Sequence, residues 1–356
     1  MNQTVAVYKD EPILEESWST CFSDHLRSKS IQVKLFAEIT DQAVADLSSC
    51  DGLMWRFTHS PRSHLRAKLI LKAAEHGLGM LVWPNQRSAW HYDDKMAQYW
   101  LLSAIGAPQP RTNFFVNRTK ALDWARSATY PQVFKLRGGA SSQSVCLVKS
   151  FPEAERLIER SFWRGLSGSH RLDRIAHGDK GSLLSRLMSL PRNISREIWH
   201  SFLYGDDHLF EPRVPHIWSS ENETVVMQEF LPNNEHDFRV TVIGPRAFAY
   251  RRFNRPQDFR ASGSGIFDVN PEKIDLNAVR IAHEASKKLG FDCMAYDFLR
   301  DQNGELVILE ISYTFVSRMV QKCPGYWDRD LKWHEGSVWP QDAICEDFIR
   351  LLQAKK

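Results

Sequence analysis

At 356 residues, with 43% hydrophobic and 25% charged side chains, the chain has the composition of a folded protein of two or three domains and not of a disordered one. No run approaches the roughly 18 consecutive apolar residues of a membrane helix, and the N-terminus lacks the basic segment and apolar run of a secretory signal. A net charge of +3 names no partner, while six cysteines without a C-x-x-C pair and thirteen histidines without close metal spacing argue against a disulfide frame, structural zinc and transition-metal chemistry. A cytoplasmic location with reduced thiols is expected.

Apolar runs at Val5–Tyr8, Ile31–Phe36, Gly52–Trp55 and Met80–Trp83 read as short buried strands, with helix-period stretches at Ile13–Arg27, Asp41–Ser49 and Ser63–His76 between them. This alternation predicts a parallel, doubly wound sheet. Such sheets take ligands beyond the carboxyl ends of their strands. There is no G-x-G-x-x-G, so a dinucleotide site is not expected. A helix is predicted over 93–105, with Asp93 or Asp94 as N-cap, Gly106 as terminator and Pro108 beyond. Strands at Gln132–Leu136 and Ser144–Val148 enclose a Gly/Ser-rich loop. From about Arg160 to Ser220 the chain is polar and irregular, and between Arg160 and Arg196 eight Arg/Lys face two Asp, a local net charge of +6. This insertion reads either as a positive flap over a substrate or as a solvated loop. Thr224–Phe230, Phe238–Ile243, Ala247–Phe253, Cys293–Arg300 and Glu305–Ile311 then read as antiparallel strands, with a helix at Leu276–Leu289 closed by Gly290 among them.

Three segments carry chemistry. In Cys293–Ser312, Asn303-Gly304 signals a two-residue type I′ hairpin, which pairs Asp297 with Glu310 and puts Ser312 on the same face. Two carboxylates opposed on neighbouring strands repel. Either a divalent cation such as magnesium relieves them, or one of them sits beside a lysine or arginine. In the second segment, Lys135 leaves a strand into Gly138, Gly139, Ser141 and Ser142, a pattern that suits phosphates or an ordinary connection. The third, Val226–Gly265, ends a strand at Gln228-Glu229-Phe230-Leu231-Pro232 and carries Asp237, Arg239, Arg246, Arg251, Arg252, Arg255 and Arg260. Arg251 and Arg252 point to opposite faces, so at most one easily serves a shared site.

Together these segments resemble the ATP-grasp superfamily, in particular the carboxylate–amine ligases related to the ribosomal-protein glutamate ligase, over roughly Asp93 to Phe315. Asp94-Lys95 and Gly106-Ala107-Pro108-Gln109-Pro110 look like its D-K…G-x-P-x-P signature. Lys135 and the Gly138–Ser142 loop look like its phosphate lysine and glycine-rich lid. Gln228-Glu229-Phe230-Leu231 looks like its adenine hinge, Asp237-x-Arg239 like its ribose-side segment, and Arg251-Arg252 with Asp258-Phe259-Arg260 like its phosphate and substrate side. Asp297 and Glu310 look like its metal carboxylates. Ser312 departs, since that branch carries asparagine there. The segments F-R-A-S-G-S-G, L-E-I-S-Y and C-P-G-Y-W-D suggest a branch linked to bacterial surface-polysaccharide assembly.

The resemblance implies an α/β chain in three parts: a doubly wound, Rossmann-like domain at 1–92, then two α+β subdomains at 93–223 and 224–356 that clasp ATP. It implies ATP with Mg2+, or Mn2+ as an alternative, and a ligase that makes an acyl phosphate from a carboxylate and passes it to an amine. Lys95, Lys135, Gly138, Gly139, Ser141, Ser142, Glu229, Phe230, Leu231 and Asp237 would bind nucleotide. Arg239, Arg251 and Arg260 would serve the chemistry, and Asp297, Glu310 and Ser312 the metal. Glu310→Gln and Asp297→Asn are both expected to abolish turnover with the fold intact. A phosphotransferase on the same fold and a nonenzymatic ATP-binding protein remain open. Nucleic-acid binding has little support, because the basic insertion holds few aromatics, and a homo-oligomer is compatible with the sequence.

Overall fold

The structure, a computed structural model, describes residues 3–9, 17–37, 39–58, 61–138, 145–163, 172–177, 224–255, 258–261 and 264–355. The expected loop residues Gly139, Ser141 and Ser142 and most of the basic insertion lie outside the described residues. Among those described, no helix is long and apolar enough to cross a membrane.

The first strands are β1 (Thr4–Tyr8), β2 (Gln32–Phe36), β3 (Gly52–Met54) and β4 (Leu81–Trp83), all parallel, in the order β2-β1-β3-β4. Val5, Ala6 and Val7 are fully buried, as expected of a strand covered on both faces. Helices α1 (Trp18–Ser28), α2 (Ala43–Leu47) and α3 (Pro61–Lys72) form the crossovers. The helix expected over 13–27 starts at Trp18, where the Ser17 hydroxyl accepts from the Thr20 N–H; residues 13–16 lie outside the described residues. The helix expected over 63–76 starts at Pro61 and ends in a π turn at Ala73–Gly77. At the carboxyl ends of the strands, Tyr8 stacks on Trp55 with 3.8 Å between ring centroids.

After α4 (Gln86–Ala89), α5 (Lys95–Ala104) is capped by Asp94, whose carboxylate accepts from the Met96 and Ala97 N–H groups at 3.1 Å each. It stops at Gly106, which takes φ +67°. Next come β5 (Thr112–Phe115), α6 (Arg118–Ser127), β6 (Gln132–Lys135), β7 (Val145–Val148), α7 (Phe151–Trp163), α8 (Leu172–His177) and β8 (Val225–Glu229). Their strands make a second, antiparallel sheet in the order β5-β8-β6-β7. Thus β8, read from the sequence as one of a C-terminal run of strands, pairs instead with the middle segment of the chain.

The third sheet holds β9 (His236–Ile243), β10 (Arg246–Phe253), β11 (Phe267–Asp268), β12 (Cys293–Arg300), β13 (Leu306–Ser312), β14 (Gly325–Trp327) and β15 (Trp333–Glu335). Its order is β13-β12-β9-β10-β14-β15, with β11 beside β10. Helix α9 (Leu276–Leu289) ends at left-handed Gly290, as the sequence predicts, and the Asp275 side chain caps its start. Helices α10 (Ser317–Gln321) and α11 (Pro340–Ala354) follow, and α11 returns to the first sheet. There a Cβ on Gly52 would lie 2.7 Å from the Phe348 ring.

The β12–β13 hairpin reaches its expected register by a different route. Only Gly304 has positive φ (+83°), so the turn is not type I′. Instead Asp301 organises a three-residue loop: its N–H donates to the Glu305 carbonyl at 2.8 Å, and its carboxylate accepts from the Asn303 and Glu305 N–H groups. Pairing is therefore one residue off until a bulge between Asp297 and Phe298 restores Asp297 opposite Glu310. The bulge re-aims the strand at that point.

Apolar packing divides the described residues into two cores. One runs from Val5 through Leu102 and resumes from Phe238 to Leu352, so the first and third sheets share it. The other lies within the second sheet and its helices. Tyr313 ties the shared core together: its hydroxyl donates to the Phe57 carbonyl at 2.6 Å and accepts from the Phe57 N–H at 3.0 Å, with both residues fully buried. Tyr313→Phe strands two buried backbone groups at about 1–3 kcal/mol each. Urea denaturation should therefore show a loss on the order of 3 kcal/mol, and a loss near zero would mean that water replaces the hydroxyl.

Candidate functional site

A cavity of about 490 Å³ opens where the second and third sheets meet. From the second sheet Val133, Lys135 and Val145 face it; from the third, Asp237, Arg252, Asp297, Leu299, Leu309 and Glu310. Gln228 to Leu231, which join the two bodies, close one side, with Lys95 and Phe259–Ala261 completing the wall.

Strand register explains why the charged groups meet. Asp297 lies opposite Glu310 on one side and Arg239 on the other, and Asp237 lies opposite Arg252. Residues directly opposite share a face, and residues two apart on one strand do also. All five therefore belong to one face of the sheet. Asp297 is 6% exposed and takes Arg239 Nε and Nη2 at 2.5 and 2.6 Å, with Arg252 Nη2 at 2.8 Å. Arg252 also grips Asp237 through two bonds of 2.8 and 2.5 Å. Burial alone would raise the Asp297 carboxyl, but the Arg239 and Arg252 guanidiniums more than offset it and hold it at about 2.

Glu310 and Lys135 differ from this paired cluster. Neither side chain makes a hydrogen bond or ion pair among the described residues. Lys135 is 7% exposed, and burial pushes its ammonium down to about 8, with Glu310 pulling the other way and Lys95 adding to the fall. The strand end that carries Lys135 is anchored: Arg137 pairs with the α5 cap Asp94 at 2.6 Å, and its carbonyl accepts from the Lys95 N–H at 2.9 Å.

The joining segment is held from both sides. The Glu229 N–H donates to the Arg111 carbonyl at 2.9 Å, and the Glu229 carboxylate accepts from the Arg111 N–H at 2.8 Å. Asn234 donates to the Leu231, Pro232 and Arg300 carbonyls and accepts from the Arg300 N–H. Sequence reasoning missed Asn234; the N-N pair after Pro232 is its only local signal, and Asn233 indeed takes positive φ.

A search with the whole fold finds solved structures of similar architecture. The ATP-grasp ligase PsnB complexed with minimal precursor matches with a TM-score of 0.54 and 14% identity, over 98% of this chain and 99% of that one. D-cycloserine synthetase DcsG gives 0.56 and 14%, over 97% and 100%. The ADP complex of purK, N5-carboxyaminoimidazole ribonucleotide synthetase, gives 0.57 and 11%, over 95% and 80%. The chain has the ATP-grasp fold. No protein-family model and no curated protein matches the sequence.

On the ATP-grasp fold, the cavity collects Lys95, Lys135, Glu229, Phe230, Leu231, Asp237, Arg260, Asp297 and Glu310 from the expected set. Arg239 stands behind it as the partner of Asp297. Three expectations need correction. Arg251 turns to the opposite face and pairs with Asp268, and Arg252 takes the place expected of it. Ser312 is not among the lining residues; its hydroxyl donates to the Thr314 carbonyl at 2.8 Å and accepts from the Thr314 N–H. Asp297, although opposite Glu310, is satisfied by two arginines, so the two acidic substitutions should not behave alike. Asp297→Asn leaves buried guanidiniums short of a counter-charge, which costs about 3–5 kcal/mol. Glu310→Gln breaks no contact, so its stability should stay within about 0.5 kcal/mol of the parent. Equal denaturation midpoints for the two variants would refute this division.

Proposed function

We propose that the chain is an ATP-dependent ligase that activates a carboxylate as an acyl phosphate and transfers the acyl group to an amine. One observation carries this reading: the buried Lys135 ammonium and the half-buried Glu310 carboxylate, neither with a side-chain hydrogen bond or ion pair among the described residues, face one cavity walled by a hinge segment. An isolated buried charge is costly, so Lys135 above all is arranged for a ligand that brings the missing partners. A nucleotide does so, its phosphates meeting Lys135 and a phosphate-bound cation meeting Glu310. The cavity volume lies in the range of small-molecule sites.

In this reading adenine lies along the backbone of Glu229 to Leu231 and the ribose lies near Asp237. Lys135 and Lys95 offset phosphate charge, and Arg260 approaches from the side of β7, whose Val145 carbonyl it touches at 3.2 Å. The donor set fits magnesium delivered with phosphate: among the described residues no three acidic, histidine or cysteine side chains form a cage, and magnesium needs only one or two carboxylates beside phosphate oxygens and water. Glu310, with Asp297 next to it, would hold the ion, which neutralises phosphate charge when bound. Phosphoryl transfer asks of the protein mainly positioning and charge, and the fixed Asp237–Arg252–Asp297–Arg239 array supplies a preorganised floor. A cytoplasmic setting and a place in bacterial polysaccharide or small-molecule synthesis belong to the same reading.

ADP release over a panel of carboxylates, with and without amines, tests it, with the product identified by mass spectrometry. An amide product is expected; ADP release with a stable phosphate ester would make the chain a phosphotransferase. Lys135→Ala should weaken ATP binding about 10- to 150-fold, the worth of a charge-assisted contact. In the parent, calorimetric affinity should hold steady below pH 8 and fall as pH rises through about 8, where the ammonium loses its proton. Lys135→Ala should show no such fall. A parent profile flat to pH 10 would remove Lys135 from the phosphate site.

A further inference from the structure

Arg56 follows β3 at the carboxyl end of the parallel sheet, outside the cavity described above. Its Nε is buried with no hydrogen-bond partner, and no ion pair reaches the guanidinium among the described residues. The group lies over the Trp18 ring, 5.4 Å from its centroid. Around it are tyrosines whose hydroxyls are already engaged: Tyr313 with the Phe57 backbone, and Tyr92 with the Thr314 hydroxyl at 3.0 Å. Both phenols are held above their ordinary range chiefly by burial, with Arg56 acting against it. The Arg56 Nε has lost water and gained no acceptor among the described residues. Arg137, Arg239, Arg252 and Arg260, by contrast, each pair with a carboxylate.

The placement of Arg56 gives it a use. Tyr313 clamps Phe57, the residue after Arg56, and stands three residues beyond Glu310 on the same chain segment. Tyr92 feels the charge of both Arg56 and Glu310, which puts the guanidinium toward the Glu310 end of the cavity, at the carboxyl end of the parallel sheet where folds of this kind take ligands. We propose that Arg56 anchors a carboxylate of the non-nucleotide substrate, one remote from the carboxyl group that reacts. A guanidinium stacked on an indole keeps its N–H edges for a planar, bidentate anion, which favours a carboxylate. This assignment rests on the ligase reading for the identity of the site, but binding tests it without turnover.

The probes are glutarate, inorganic phosphate and magnesium–ADP, titrated calorimetrically into the full chain, Arg56→Met and Lys135→Ala. Glutarate should bind the parent more tightly than phosphate does. Arg56→Met should weaken glutarate about tenfold or more, as for loss of a charge-assisted contact, and leave magnesium–ADP affinity unchanged. Lys135→Ala should do the reverse. The melting temperature of ligand-free Arg56→Met should equal or exceed the parent's, because an unpaired charge has been removed. No glutarate binding to the parent, unchanged glutarate affinity in Arg56→Met, or tighter phosphate than glutarate would overturn the assignment. A lower melting temperature in Arg56→Met would also overturn it and make the guanidinium a structural prop for Trp18. Failure of magnesium–ADP to bind the parent would instead count against the nucleotide reading and leave the glutarate result standing.

Discussion

The Asp297 carboxylate, shared by Arg239 and Arg252 with Asp237 at the far end, fixes the floor of the cavity. Two acids and two guanidiniums in alternation form a nearly neutral array, so no member faces the cavity as an uncompensated charge. Desolvating four ions is expensive, and such clusters often add little net stability over a packed apolar core. What they supply is geometry, because each fork-to-fork contact sets the orientation of both partners. The array also keeps Asp297 ionised at any ordinary pH. Its cost appears elsewhere: the cluster needs strands β12, β9 and β10 in one register, and the shared apolar core below them enforces it.

That core explains how two bodies make one cleft. The first and third sheets pack as a unit, with Tyr313 bonded to Phe57 and α11 laid back on the parallel strands. The second sheet has a separate core and meets this unit along the joining segment 228–234 and through the Asp94–Arg137 pair. A charged group at such a boundary can be buried without being paired, since neither core supplies its counter-ion. Lys135, buried, and Glu310, half-buried, face that boundary from opposite walls.

Much of this was legible in the residue pattern. Strand and helix periods located the four parallel strands, their crossover helices and the longer strands of the other two sheets, but not β5, α6, α7 or α11, and the Asp94 cap with stops at Gly106 and Gly290 bounded two helices. The opposition of Asp297 and Glu310 was also legible, although by compensation: the turn is a residue longer than predicted, and the bulge beside Asp297 takes up the difference. The bulge leaves Leu309 without an opposite residue and breaks the two-residue alternation there, so that Leu309 and Glu310 both line the cavity.

By itself, the sequence determined which segments fold locally, which side chains share a strand face, and which residue types offer phosphate and cation chemistry. Tertiary structure alone decided which charges are paired. Alternation showed that Arg251 and Arg252 must part company, yet only the neighbours β9 and β12 put Arg252, not Arg251, beside Asp237 and Asp297. It also decided that β8 joins the second sheet, that Ser312 turns to Thr314, and that the Lys135, Glu310 and Arg56 side chains make no ion pair among the described residues. Local sequence fixes the direction of a side chain relative to its own strand; pairing depends on distances between segments far apart in the chain, which burial of the shared core sets.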